Sequence, residues 1–435
     1  MSKVIAGMDW QELYSFASKQ ALLGLCFEGI ERLGKEYPEE LKQNPIGREL
    51  LMTWMGKAQQ IRRQNMKVNA VASKLFSMLR EDGMRCCVLK GQGNALMYPN
   101  PYSRTPGDID VWIDASRERI MEYAQKKFEL GDDIRLQHLE TSLDGVPVEL
   151  HFFPCSMNNP IYHVRLQKWF RRNADLQCSH IVGLPDGAGD IAIPTSSFNV
   201  VYQLTHLYHH FFDEGIGMRQ IIDYFLVVND FSKNVFLDHD LSNHPVNFSN
   251  HPVPLSKEGS TFSPSPSSSG SGDVTAPSRC SEPLRSKDGG PSKVSPDCAG
   301  WDRLAIEGDN SATAVTSSAS TALDVVQREL KHLGLWKFAR AVMYVLHEAL
   351  GLPEEKMVAP MDEKRGKLLL AEILNGGNFG RHFTKYGHFT QQGMAKKYFL
   401  KIWRNMHFVR YYPAEALSEP IFRTWHFFWR LKHRR

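Results

Sequence analysis

LKGQGNALMYPNPYSRTPGDIDVWID, residues 89–114, decides how the chain is read. An apolar run, Val88-Leu89, stops at Lys90-Gly91. A short helix-compatible piece, Asn94 to Tyr98, leads into a Pro/Asn turn, then Arg104, then Gly107-Asp108-Ile109-Asp110-Val111-Trp112-Ile113. Side chains alternate across a strand, so Asp108 and Asp110 project together while Ile109, Val111 and Ile113 enter a core. Two like charges side by side repel, and a divalent cation is the usual reason to place them so. Mg²⁺ favours one or two carboxylates plus substrate phosphate oxygens.

Apolar strand, Gly-containing turn, short helix and Asp-hydrophobic-Asp together resemble the nucleotidyltransferase superfamily of the DNA polymerase β type. More narrowly, Leu89-Lys90-Gly91, Arg104 and Gly107-Asp108-Ile109-Asp110 resemble a bacterial nucleotidyltransferase-like family often found beside surface-polysaccharide genes. The resemblance implies an α+β fold, a small mixed β-sheet core flanked by N-terminal and C-terminal α-helical regions. It also implies a third carboxylate from a later strand. Val146 to Phe152 alternates correctly and offers Glu149, with His151 on the same face. The superfamily usually has Gly-Ser or Gly-Gly at the turn, where this chain has Gly91-Gln92.

The chemistry so implied is transfer of a nucleoside monophosphate from an NTP to a hydroxyl acceptor, assisted by Mg²⁺ or Mn²⁺. Asp108, Asp110 and Glu149 would hold the metal, with Glu149 completing the ion that activates the hydroxyl or taking its proton. Gly91, lacking a Cβ, lets backbone approach phosphate. Gln92 follows in that turn, the short helix adds N–H groups, and Lys90 and Arg104 are cationic candidates for the β- and γ-phosphates. Arg104 could equally neutralise Asp108. A metal-dependent glycosyltransferase also uses Asp-X-Asp, but needs an alternating β/α domain before the motif, and residues 1–80 read as helical. A non-catalytic nucleotide-binding protein is the other alternative.

The rest of the chain fits an ordinary globular composition. Of 435 residues, 42% are hydrophobic and 23% charged, and the net charge of +4 does not by itself argue for nucleic acid. Seven cysteines form no CxxC pair, so neither a zinc ribbon nor a disulfide framework is indicated, and a reducing cytoplasm fits best. No signal-peptide run and no membrane-length apolar stretch is present. Asp9-Trp10-Gln11-Glu12 starts a helix with a capping pattern that carries Leu13, Phe16, Ala17, Leu23 and Cys26. A long helix is expected over 45–79, so 1–80 form a helical lead-in. Residues 81–155 form the α/β core, with strands over 84–89, 108–113 and 146–153, a helix over 117–130, and Asp144-Gly145 turning a hairpin back to 136–143. Helices return over 156–231.

His206, His209, His210 and Asp213 have zinc-like spacing, although a polar helix face explains them as well. Arg219 and Asp223 sit at i, i+4 and are expected to pair. Helical text resumes over 319–435, with one amphipathic helix over 325–350. The last part interleaves Lys396, Lys401, Arg404, Arg423 and Arg430 with Phe399, Trp403, Phe408, Trp425 and Trp429. Two amphipathic helices with aromatics inside and basic groups in water account for it; an RNA or anionic-membrane surface is the functional alternative.

Residues 232–318 interrupt this pattern. Ser256 to Pro291 is rich in Ser, Pro and Gly and nearly free of large apolar residues, the composition of a disordered insertion. Deleting 240–315 is therefore expected to leave the melting temperature nearly unchanged, since loop-closure entropy varies slowly with length. A drop of many degrees in a thermal scan would show that the segment contributes packing.

Overall fold

The computed structural model describes residues 2–130, 135–242, 322–382 and 394–433. The chain divides into two units, 1–243 with 311–435 and 244–310, and every described residue belongs to the first. The expected insertion lies outside the described residues except at its leading edge, where helix α10 (Met218–Ser242) continues past 231.

The N-terminal region is helical: α1 (Ser2–Ala6), α2 (Trp10–Lys19), α3 (Leu23–Glu36), α4 (Pro38–Gln43) and α5 (Arg48–Glu81). Asp9 caps α2 by accepting hydrogen bonds from the backbone N–H groups of Gln11 and Glu12. The apolar spacing through Cys26 is divided between two helices, because Ala21 adopts a left-handed φ of 58°.

Four strands form the main sheet in the order β1-β2-β4-β3. Strand β1 (Cys86–Leu89) runs antiparallel to β2 (Ile109–Ile113), setting Leu89 opposite Asp110. The short helix α6 (Gly91–Ala95) lies between them in sequence. After α7 (Arg117–Lys127), the hairpin β3 (His138–Leu143) and β4 (Val146–His151) follows. Its turn has positive φ at Asp144 (50°) and Gly145 (71°), as a two-residue type I′ connection requires. Strand β4 joins β2 in parallel, so Asp110 faces Glu149 across the ladder.

Both faces of the sheet are covered. Val88, Ile109, Val111, Ile113, Val148 and Leu150 pack against α5 and α7 in one cluster. Trp112 points the other way and stacks on Phe198, ring centroids 6.3 Å apart. Phe198 belongs to α9 (Ser196–Asp213), which covers that second face together with α8 (Pro160–Ser179). A two-stranded ribbon, β5 (Ile181–Gly183) and β6 (Asp190–Ala192), connects α8 to α9. Asp110, two residues before Trp112, shares its face, so the charged residues stand beneath α9.

The C-terminal region adds α11 (322–332), α12 (Trp336–Leu350), α13 (Glu363–Gly376), α14 (Met394–Met406) and α15 (Pro413–His433). The single helix expected over 325–350 is broken at Gly334, which takes a φ of 74°. Among the described residues no helix is long and apolar enough to cross a membrane.

The lead-in helices reach the site through one close approach. Gly24 of α3 lies against the 3-10 turn Pro101–Ser103, and a Cβ there would stand 2.4 Å from the Ser103 carbonyl oxygen. Asn65 of α5 holds the same segment, donating from Nδ2 to the carbonyls of Tyr102 (3.1 Å) and Arg104 (2.8 Å). Gly24→Ala should cost about 1–3 kcal/mol by forcing that turn outward. Urea unfolding measures it, and a mutant as stable as wild type would show the turn can yield freely.

Candidate active site

The site begins where β1 ends. Lys90 has φ 53° and ψ −129°, a conformation that ordinarily calls for glycine. Its Nζ lies 2.8 Å from Asp110 Oδ1 and 2.7 Å from His206 Nε2. Burial works against the lysine's charge, but Asp110, Asp108 and Glu149 outweigh it and raise its pKa. Gly91 follows at φ 32° on the cavity wall. The buried side chain of Gln92 donates to Asn69 Oδ1 on α5, so it braces the turn from behind.

Asp108 and Asp110 both line the cavity, Asp108 exposed and Asp110 buried. The charge of Asp110 is the main cause that pushes the Asp108 carboxyl up to about 6. No salt bridge to Asp108 forms among the described residues. Burial would raise Asp110 too, but Lys90 and His151 hold it well below the usual carboxylate range. Two neighbouring carboxyls pushed apart in this way mark a site built for positive charge.

Glu149 stands beside Asp110, as its alternation implied, with its carboxylate turned toward two histidines. His151 Nε2 is 3.0 Å from Asp110 Oδ1 and 3.1 Å from Glu149 Oε2. His138, opposite His151 on β3, brings Nδ1 to 3.2 Å from the same Glu149 oxygen. Burial disfavours the charge on His151, but the two carboxylates outweigh it and raise its pKa to about 9. Burial and the neighbouring His151 push His138 down to about 4. Burial opposes the Glu149 charge, and contact with His151 more than compensates, leaving its pKa lowered.

Arg104 is buried and forked onto Asp223 of α10: Nε to Oδ1 and Nη2 to Oδ2, both 2.8 Å. Tyr98 donates its hydroxyl to the same carboxylate at 2.8 Å. Arg104 therefore does not neutralise Asp108, the alternative to a phosphate contact, and Asp223 does not form the expected pair with Arg219. A buried bidentate pair outcompetes an i, i+4 pair worth a few tenths of a kcal/mol. Arg219 instead lines the cavity, its Nη1 donating to the Thr105 carbonyl at 3.2 Å and its guanidinium 5.7 Å from the Phe379 ring centroid.

The zinc-like spacing on α9 gathers no metal group. His206 and His210 line the cavity, and Asp213 is held by Lys401 and Arg423, each at 2.9 Å. Burial pushes His210 down to about 3, so it is neutral near pH 7. Those two cations, with the buried Arg404 donating to the Phe211 carbonyl at 2.7 Å, turn the basic side of the C-terminal helices inward. Phe399, Trp403, Trp425, Phe427 and Phe428 are exposed where aromatics were expected inside, whereas Phe408 is buried as expected.

His138 and Phe379 were not singled out from the sequence, and Arg219 only as a partner for Asp223. A signal for His138 existed: pairing outward from Asp144-Gly145 sets residue 138 opposite 151. Among the described residues, the metal-competent group of His, Cys, Asp or Glu side chains is His138, Glu149 and His151.

Residues 6–243 match the family described as uncharacterised nucleotidyltransferase. No curated protein matches. One solved structure, that of an antigenic nucleotidyltransferase-like protein from Paracoccidioides brasiliensis, matches at 17% identity over 37% of this chain and 75% of that one, with a TM-score of 0.26. That likeness is too slight to carry an argument about the fold. The family match, by contrast, spans more than half the chain, including β1, β2, β4 and every carboxylate of the site, and the chain belongs to that uncharacterised nucleotidyltransferase family.

Proposed function

We propose that the chain transfers a nucleoside monophosphate from an NTP to a hydroxyl acceptor with a divalent ion, Mg²⁺ or Mn²⁺. One observation carries the reading. Asp108 and Asp110 line a cavity whose other walls present Lys90, Arg219 and the Gly91 backbone, with Glu149 in register beside Asp110. The donors are hard carboxylate oxygens, and among the described residues no salt bridge holds Asp108, so the residues fit such an ion. Bound there, a divalent cation supplies charge neutralisation for the triphosphate and polarisation of the reacting phosphoryl group.

In this reading Lys90 and Arg219 bind the β- and γ-phosphates and stabilise the charge that develops on departing pyrophosphate. The α-phosphate is presented to the acceptor oxygen, and Glu149, anionic at neutral pH, accepts the hydroxyl proton. Arg104 contributes mainly by fixing Asp223 and the end of the turn. The helical lead-in before the motif supports this reading over a nucleotide-sugar glycosyltransferase, which needs an alternating β/α domain there. An acceptor from surface-polysaccharide production agrees with the family resemblance; a protein side chain or an RNA end is compatible with the same site.

Incubation with each labelled NTP, divalent ion and cell extract tests the proposal. Asp110→Asn should abolish label transfer. Glu149→Gln should keep NTP affinity within a few-fold and slow transfer by about 10²–10⁴-fold. Equal transfer by wild type and both variants would leave only a nucleotide-binding role.

The two arginines should separate in their effects. Arg104→Met leaves Asp223 buried without its ion partner and should lose about 3–5 kcal/mol of unfolding free energy. Arg219→Met should leave stability within about 1 kcal/mol and weaken NTP binding. The opposite pattern would exchange their roles.

A further inference from the structure

Behind Asp110 lies a second donor group of different chemistry. His138, Glu149 and His151 bring one nitrogen or oxygen each to within 4.8 Å of one another. Glu149 Oε2 already stands 3.1 Å from His151 Nε2 and 3.2 Å from His138 Nδ1. Metal bonds of about 2.0–2.2 Å set tetrahedral ligand atoms roughly 3.3–3.6 Å apart, so these spacings need little change. Neither ring nitrogen of His138 makes a well-formed hydrogen bond: Nδ1 meets Glu149 Oε2 only as the 3.2 Å contact, and Nε2 lies 3.8 Å from Glu140 Oε1, so an ion bound at Nδ1 would supply a partner that this buried nitrogen lacks. The hairpin register fixes the geometry, since His138 pairs with His151 and Glu140 with Glu149.

We propose that His138, His151 and Glu149 form a binding site for a Zn²⁺-class transition ion, separate in its ligand chemistry from the Mg²⁺ or Mn²⁺ position at Asp108 and Asp110. Mg²⁺ prefers oxygen and is a poor match for two imidazoles, whereas zinc-class ions bind imidazole and carboxylate together. The proposal deepens the reading above, because Glu149 belongs to both. Ligation takes Nε2 of His151 in its unprotonated form. The remaining ring proton is carried on Nδ1, where the Gln137 amide, now with its nitrogen 3.3 Å away, turns its oxygen to accept it. Asp110 Oδ1 is thereby released from His151 and keeps Lys90.

Co²⁺ serves as the spectroscopic probe, added to the full-length protein after chelator treatment. The expected result is one equivalent bound with visible d–d bands, displaced by Zn²⁺ but not by a tenfold excess of Mg²⁺. His138→Gln should weaken Co²⁺ binding by at least the roughly 10–100-fold seen for outer partners of metal sites. His138→Cys should restore binding and add a thiolate-to-metal charge-transfer band, which decides the matter if His138→Gln folds poorly. Asp108→Asn should lose nucleotidyl transfer while keeping the Co²⁺ spectrum. The proposal is overturned by absent bands in wild type, by an unchanged spectrum in His138→Gln, or by His138→Cys lacking the charge-transfer band. Those results leave the transfer reading standing, because that reading depends on Asp108 and Asp110.

Discussion

Lys90 and Asp110 form an ion pair with side chains only 18% and 5% exposed, and the site is arranged around the cost of keeping them there. Taking two ions out of water costs several kcal/mol each, and a lone Coulomb contact rarely offsets it. Further partners therefore converge on the pair, His206 on the ammonium and His151 on the carboxylate. The left-handed backbone at Lys90 adds strain of its own, which persists only because the surroundings over-determine it. Leu89 in β1, the Gln92–Asn69 bond to α5 and α9 above leave the turn no alternative path.

The same logic explains why so many helices surround so small a sheet. Four strands bury one face on α5 and α7, but the other must cover Trp112 while leaving an opening over the aspartates. Helices α8 and α9 supply aromatic cover around Trp112, through Phe170 and Phe198, and the polar histidines of α9 stand over the opening. Helix α10 is tied to the turn before β2 by the Arg104–Asp223 fork. The N-terminal helices reach that turn through Gly24 and Asn65. The lead-in is thus part of the frame that aims Arg104 and, four residues later, Asp108.

Much of this was legible because it is periodic or local. Alternation in Ile109–Ile113 and Val146–His151 placed Asp110 and Glu149 on one face, and Asp144-Gly145 gave the hairpin. What sequence concealed depends on competition at a distance. Arg219 and Asp223 obey a local pairing rule, yet a fork from Arg104, 119 positions away in sequence, takes the carboxylate. The break at Ala21 has no Gly or Pro to announce it. In the C-terminal helices, amphipathic spacing tells which side chains share a face but not which face is buried. The half-buried carboxylate of Asp213 bears on that choice by pairing with Lys401 and Arg423.

That choice has a consequence for how the protein is made. Asp213 leaves the ribosome long before its cations do; at roughly 5–20 residues per second, Lys401 follows on the order of 10–40 s later, and Arg423 after it. During that interval Asp213 lacks Lys401 and Arg423, and Phe211 and Phe212 lack Phe408 and Tyr412 as packing partners. The N-terminal half of α9 packs on Trp112, Phe170 and α10, all made early, whereas its C-terminal end, with Phe211, Phe212 and Asp213, completes its packing only once the last helices have been synthesised. The last contacts of α9 to form are therefore those farthest along the chain.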